Sequence, residues 1–228
     1  MNTAPRMVDV RARILKENDL LARDLRTRFQ EAGVTVISFV SSPGSGKTTF
    51  LEHLMTRLAK DWDIAALVGD LATENDAARL SRACPKVKQI ITGTVCHLDA
   101  KMIAAAIEEW KLEDLDLLFI ENVGNLVCPS SYDLGESMRV VLLSATEGED
   151  KPLKYPTIFN TADIALLTKI DLAEAAEFDR AAALTNIQSV RPGMTVLEVS
   201  AKTGLGMERV VTLIEAQITA RSGLRTMQ

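Results

Sequence analysis

An α/β fold of three layers, with helices on both faces of a mostly parallel central sheet, is predicted by two features of the sequence. Seven short apolar runs rich in Val, Ile and Leu recur along its 228 residues. None shows the polar alternation of a sheet with one wet face, so the strands should be buried on both sides. Segments with helical spacing separate the runs, which is the rhythm of βαβ units.

Residues 9–32 come first and place Val10, Ile14, Leu21, Leu25 and Phe29 at near-helical spacing, with Gly33 positioned as a stop. An N-terminal amphipathic helix is expected there. The strand candidates follow as VTVISFV (34–40), DIAALVG (63–69), VKQIIT (87–92) and LDLLFIE (115–121), then RVVLLSA (139–145), DIALLTK (163–169) and TVLEVSA (195–201). Helices such as Thr48 to Lys60 and Asp99 to Leu112 would cover the sheet. Residues 146–162, with two prolines and several charges, read as a long irregular crossover. No repeat or low-complexity linker interrupts the series, so the expected organisation is a helical extension over 1–32 and a single domain over 33–228.

Composition narrows the function. Hydrophobic residues make up 47% and charged residues 25%, which is ordinary globular usage. The net charge of -5, from 26 basic and 31 acidic residues, argues against nucleic acid as a partner. No window approaches the roughly 18 consecutive apolar residues of a membrane span, and the first twenty residues lack an apolar signal core, so no membrane role and a cytoplasmic location are expected. Three cysteines, Cys84, Cys96 and Cys128, cannot all pair within one chain, which leaves metal or redox chemistry open.

The first strand runs into Ser41-Ser42-Pro43-Gly44-Ser45-Gly46-Lys47-Thr48 and then into a helix with Leu51, Leu54, Met55 and Leu58 on one face. Strand, Gly-rich loop and helix in that order are the context a Walker A phosphate loop requires. In the turn that Pro43 opens, backbone N–H groups over Gly44 to Thr49 would surround the β-phosphate, Lys47 would reach the β- and γ-oxygens, and Thr48 would ligate magnesium. Ser41 stands where the strict pattern has Gly. The fold thus becomes, more narrowly, a three-layer P-loop NTPase fold. A plain Gly-rich turn before a helix is the competing reading.

A buried strand should then deliver an acid to the magnesium and a glycine N–H to the γ-phosphate. In LLFIENVGN, Glu121 ends the apolar run and Gly124 follows, so E-x-x-G stands where many GTPases have D-x-x-G. Asp70, closing an earlier strand, is a second candidate for the magnesium sphere.

Thr168-Lys169-Ile170-Asp171 ends another buried run, where a base pocket in an open sheet belongs. A carboxylate at Asp171 can accept from both N1–H and the exocyclic amine of guanine, whereas adenine offers no such donor pair. The stem of Lys169 can cover the ring. Ser200-Ala201-Lys202 matches the SAK loop whose backbone reads guanine O6. The usual first residue of N-K-x-D is Asn, so Thr168 is expected to loosen the loop without changing base preference.

Cys96-His97 follows the third run and Cys128 follows the fourth, at the same end of neighbouring strands. Two thiolates and an imidazole suit nickel or zinc and leave a position open for an exchangeable group. Buried cysteines packed as small apolar groups are the alternative, and for Cys84 that is the only reading. His53 reads as a partly exposed helical residue.

Taken together, SSPGSGKTT, GDLATENDA, TVCHLDA, IENVGNLVCP, DKPLKYPTIF, the KID loop and SAKTGLGM resemble the hydrogenase nickel incorporation GTPase family, HypB, over about residues 15 to 220. The resemblance accounts for Ser41, since the family writes its loop this way. It implies a GTP/GDP-binding, magnesium-dependent GTPase that helps deliver nickel to NiFe-hydrogenase large-subunit precursors, together with a small zinc-containing accessory protein. GTP-dependent homodimerisation is implied too, with Cys96, His97 and Cys128 near the subunit interface.

The chain lacks the N-terminal cysteine motif and the histidine-rich tract of some members, and with 2 histidines it cannot store nickel. Whether Ni2+ or Zn2+ occupies the site is left open by soft ligands that accept both. The expected switch segments are 70–80 and 121–128, and the catalytic group comprises Lys47, Asp70, Glu121 and Gly124. Competing readings are an accessory GTPase for another metalloenzyme such as urease, whose Cys-Pro-His motif is missing here, and a P-loop small-molecule kinase, which would not need KID paired with SAK.

Overall fold

The computed structural model describes the backbone of residues 6–70 and 75–225 and the side chains of 12–70 and 75–221. Residues 1–5 of the expected extension and 71–74 of the first switch segment lie outside the described residues. All seven apolar runs are strands: β1 (Thr35–Ser41), β2 (Ile64–Asp70), β3 (Val87–Ile91), β4 (Leu117–Glu121), β5 (Met138–Ser144), β6 (Ile164–Thr168) and β7 (Thr195–Glu198). They form one sheet in the order β3-β2-β4-β1-β5-β6-β7. Every pairing is parallel, so the sheet is wholly rather than mostly parallel. The reason is burial: helices cover both faces and leave no wet face for an antiparallel edge.

On one face α2 (Lys47–Leu58) and α8 (Met207–Arg225) pack against alternate strand residues such as Ile37, Phe39 and Phe119. Phe39 meets Phe50 and Phe119 with ring centroids 5.9 and 5.6 Å away in tilted and edge-on geometry. Each such fully buried side chain contributes about 2–3 kcal/mol of transfer free energy. The short α3 (Asn75–Leu80) lies beside α2. The opposite face carries α1 (Arg6–Glu31), α4 (Ala100–Ala106), α6 (Pro156–Thr161) and α7 (Arg180–Val190).

Three sequence expectations are corrected. The buried stripe of α1 is Asn18, Ala22, Leu25 and Phe29, whereas Ile14 and Leu21 are exposed and Val10 lies outside the described side chains. Leu21 lies to one side of this stripe, whereas Ile14, one turn before Asn18, continues its period and is exposed all the same. Gly33 does end the helix, at φ 72°, with the Val34 N–H donating to the Phe29 carbonyl at 2.9 Å. The helix expected over Asp99 to Leu112 stops at Ala106. Its start is as read, with the Asp99 carboxylate accepting from Met102 N–H at 2.8 Å. Residues 146–162 are not irregular: α5 (Lys151–Lys154) and α6 occupy them, each with a proline in its first turn where the missing N–H costs nothing.

Between β4 and β5 the chain makes one long excursion, residues 122–137, which an ion pair anchors. Arg139 and Glu136 are both buried and meet at 2.7 Å. Glu136 also accepts from the Ser38 hydroxyl and Leu134 N–H, while Arg139 donates to the Tyr132 carbonyl. From α1, Arg26 reaches Asp133 and Asn18 reaches the Asp133 carbonyl. Burial would raise the Asp133 pKa, but the Arg26 guanidinium and the Gly135 N–H hold it below the ordinary value. The excursion is thereby fixed to the sheet and to α1.

Candidate nucleotide site and metal centre

β1 lies between β4 and β5, and the chain leaves it in one direction and returns on the other side, which opens a crevice at the carboxyl ends of the strands. The phosphate loop occupies that crevice. Gly46 has φ 96°, a left-handed conformation that leads directly into α2. The Ser41 hydroxyl accepts from the Lys47 ammonium at 2.7 Å and from the Ser45 hydroxyl. Serine in the first position therefore gives the lysine a resting partner. Burial pushes the Lys47 pKa down, opposed by the carboxylates of Glu121, Asp76 and Glu147.

Glu121 is 4% exposed and its Oε1 accepts the Thr48 hydroxyl at 2.7 Å. Its Oε2 is buried with no hydrogen-bond partner among the described residues. Burial pushes the carboxyl up to about 7, against the lowering effect of Lys47 and Thr48. An orphaned carboxylate oxygen beside a hydroxyl is a donor set that fits a hard cation such as magnesium. Both face a cavity of about 500 Å3 that Gly44, Lys47, Asp70 and Gly124 also line. Gly124 sits against the phosphate loop so closely that a Cβ there would lie 2.9 Å from the Cα of Pro43.

A second cavity of about 190 Å3 adjoins the first, lined by Phe50, Lys169, Asp171, Ser200, Ala201 and Lys202. The two sequence motifs predicted to read a base thus share one pocket. Lys169 adopts φ 54°, rare for a residue with a Cβ, and its ammonium donates to the Gly44 carbonyl at 2.6 Å. The Thr168 hydroxyl donates to the Ser45 carbonyl at 2.9 Å, so Thr168 fastens the base loop to the phosphate loop rather than loosening it. Ser200 is fully buried, and its carbonyl and hydroxyl accept the Gly204 and Thr203 N–H groups that close the turn.

Cys96, His97 and Cys128 come together with their ligand atoms all within 4.8 Å of one another. The two sulfurs lie 2.7 Å apart. His97 stacks on Tyr132 at 3.9 Å between centroids and 27° between planes, and its buried Nδ1 has no hydrogen-bond partner among the described residues. Burial pushes the imidazole pKa down, which keeps a nitrogen lone pair available, and Asp99 opposes this. Two sulfurs and one neutral imidazole fit nickel or zinc. Cys84 lies apart, buried with its thiol on the Ile64 carbonyl at 2.8 Å, and His53 is exposed on α2. Both match their plain structural readings.

Several residues at these sites lie in the motif strings or switch segments but are not themselves singled out by them. Asp76 and Arg79 line the larger cavity from α3, and Arg79 donates to Thr49 and Glu52 at 3.0 and 2.8 Å. Asn122 and Asn125 lie between Glu121 and Cys128, and Tyr132 lies beyond. The string IENVGNLVCP marks the stretch, but spacing alone does not say what an amide or a ring touches.

These features define a P-loop nucleotide-binding protein with a thiol and imidazole cluster a few residues from the segment that lines its phosphate-loop cavity. The family model described as CobW/HypB/UreG, nucleotide-binding domain, matches residues 34–198. The chain belongs to this family, and within it to the hydrogenase maturation factors HypB. It is 46% identical over 216 residues to hydrogenase maturation factor HypB of Azotobacter chroococcum mcd 1, covering 95% of this chain and 71% of that protein. To the hydrogenase/urease maturation factor HypB of Helicobacter pylori strain 26695 it is 43% identical, covering 91% and 86%. The crystal structure of HypB from Helicobacter pylori in complex with nickel superimposes with a TM-score of 0.85 at 41% identity, covering 90% of this chain and 96% of that one.

Proposed function

We propose that this chain is a GTP-hydrolysing metallochaperone that assists nickel insertion into NiFe-hydrogenase precursors and changes its metal coordination and dimerisation with nucleotide state. The observation that carries the reading is continuity: the segment from Glu121 to Gly124 lines the phosphate cavity and runs within four residues to Cys128 of the thiol and imidazole cluster. Nickel is its cargo, and the name of the Helicobacter pylori nickel complex supports that choice over zinc.

In the hydrolytic step Lys47 donates to the β- and γ-phosphate oxygens, and loop N–H groups hold the β-phosphate. Thr48 and Glu121 would hold magnesium, with Asp70 at the edge of its sphere; the ion neutralises charge on the β- and γ-oxygens when bound. The Gly124 N–H senses the γ-phosphate. Asp171 accepts from guanine, Lys169 covers the ring, and the Ser200-Ala201-Lys202 turn presents its backbone to O6. Homodimerisation in the GTP state, a small zinc-containing accessory protein and the hydrogenase large-subunit precursor are the partners this reading requires. Service to urease is a second reading, favoured by the dual name of the Helicobacter pylori relative.

Size-exclusion light scattering tests it, using metal-free protein with GDP or a nonhydrolysable GTP analogue, each with and without one equivalent of nickel. A dimer that forms only with the analogue and magnesium and retains metal supports the proposal. A nucleotide-indifferent monomer that retains no metal would reduce the chain to a guanine-nucleotide binder.

A further inference from the structure

The Glu121–Cys128 segment is tied to the other metal-ligand loop by two side-chain amides. Asn122, 2% exposed, accepts at Oδ1 from the N–H of Leu98 at 3.1 Å and of Val123 at 3.0 Å. Asn125 donates from Nδ2 to the carbonyl of Cys96 at 3.3 Å and accepts at Oδ1 from the N–H of Val127 at 2.8 Å. One asparagine thus holds the backbone of one ligand, Cys96, and of the residue before another, Cys128. Its chain neighbour Gly124 is the residue pressed on Pro43 of the phosphate loop.

An amide suits this position because it is at once donor and acceptor. It can hold two loops in register only while both bonds are made. A γ-phosphate that binds the Gly124 N–H would shift Gly124 against the phosphate loop and displace Asn125 with it, since consecutive Cα atoms are fixed about 3.8 Å apart. The displacement loads the bonds to Cys96 and Val127, and the two thiols must then move relative to one another. We infer that Asn125 is a positioning residue that sets the Cys96 to Cys128 spacing according to nucleotide state, so that nickel affinity depends on the γ-phosphate through this side chain. The inference rests on the proposed nickel and GTP chemistry of the same site.

Full-length native protein and the variant Asn125→Ala would be titrated with nickel against a competing chelator, each with GDP and with a nonhydrolysable GTP analogue plus magnesium. Native protein should show two different affinities. In Asn125→Ala the tighter of the two should weaken about 10–100-fold, as loss of an outer-shell partner does, and the ratio between nucleotide states should fall toward one. The nickel–thiolate absorption band should shift in the same variant. Asn125→Asp, nearly isosteric, keeps the acceptor for Val127 and loses the donor to Cys96, so it should reproduce the lost ratio even if the alanine variant folds poorly.

An unchanged ratio in both variants, with GDP still bound, would overturn the role of Asn125 while leaving the metallochaperone reading intact. Native protein with one nucleotide-independent nickel affinity would overturn the coupling itself. Native protein that binds no nickel would overturn the reading on which the inference rests.

Discussion

The Thr48 hydroxyl donates to Glu121 Oε1 across a sequence separation of 73 residues, and this bond leaves the second carboxylate oxygen buried and unpartnered among the described residues. The pair is a donor set that fits a cation, and burial holds the carboxyl toward its neutral form. Its folded-state pKa of about 7 lies above the ordinary 4.5, so the native chain holds a proton that the unfolded chain releases between those values. Stability without nucleotide should therefore be greatest below pH 4.5 as far as this group is concerned, and decline as pH rises through 7. The shift corresponds to at most about 3 kcal/mol. Denaturant unfolding across that range should show the decline in native protein and a flatter profile in Glu121→Gln, and equal slopes would refute the assignment.

Lys47 and Cys128 should separate the two chemistries. Lys47→Ala removes the buried ammonium proposed to meet the phosphates and should lower GTP turnover by about 1,000-fold or more. Cys128→Ala should retain GDP but lose more nickel affinity than the ~10–100-fold of an outer-shell change, because one of the proposed ligands is gone. Turnover at the native rate in the lysine variant would sink the phosphate-loop assignment.

The proposed base choice rests on Asp171, which lines the second cavity and would lose its all-acceptor character as the amide. Asp171→Asn presents an NH2 donor where guanine also presents donors, and should weaken GDP binding by at least ~100-fold. Xanthosine diphosphate, with a carbonyl in place of the amine, should bind the variant better than GDP does. Competition between the two nucleotides measures this directly, and retained guanine preference would place the base elsewhere.

The buried Arg139–Glu136 pair should matter to stability through the charge left behind. Arg139→Ala strands Glu136 beside β1 and should cost about 3–5 kcal/mol, whereas replacing both residues with apolar ones of similar volume should recover most of that loss. Equilibrium unfolding of the single and double variants distinguishes the two. Nickel affinity should fall with the single variant as well, because Arg139 donates to the carbonyl of Tyr132, the residue whose ring stacks on His97.

Continuous apolar runs with helices between them were sufficient to locate all seven strands, but only β1, β2, β4, β5 and β6 are buried on both faces; β3 and β7, at the two edges of the sheet, are only partly buried because each has a neighbouring strand on one side alone. Ser41 to Thr48, Asp171, the Ser200 turn, Cys96, His97 and Cys128 were legible too. Phosphate loops, base loops and metal ligands need particular residue types at short spacings, and short spacings survive as strings.

The tertiary structure decided what no string records. The α1 stripe settled on Asn18, Ala22, Leu25 and Phe29 because the shape of the opposing sheet, not hydrophobicity alone, selects the buried face. Thr168 turned out to fasten two loops because Ser45, 123 residues away, presents a carbonyl to it. Asn122, Asn125 and Tyr132 are unremarkable letters, and their contacts exist only once β2, β3 and β4 bring their carboxyl ends together. Motif chemistry is local and the sequence by itself determined it; the coupling between the motifs runs through hydrogen bonds between distant segments, and only the packed fold sets those distances.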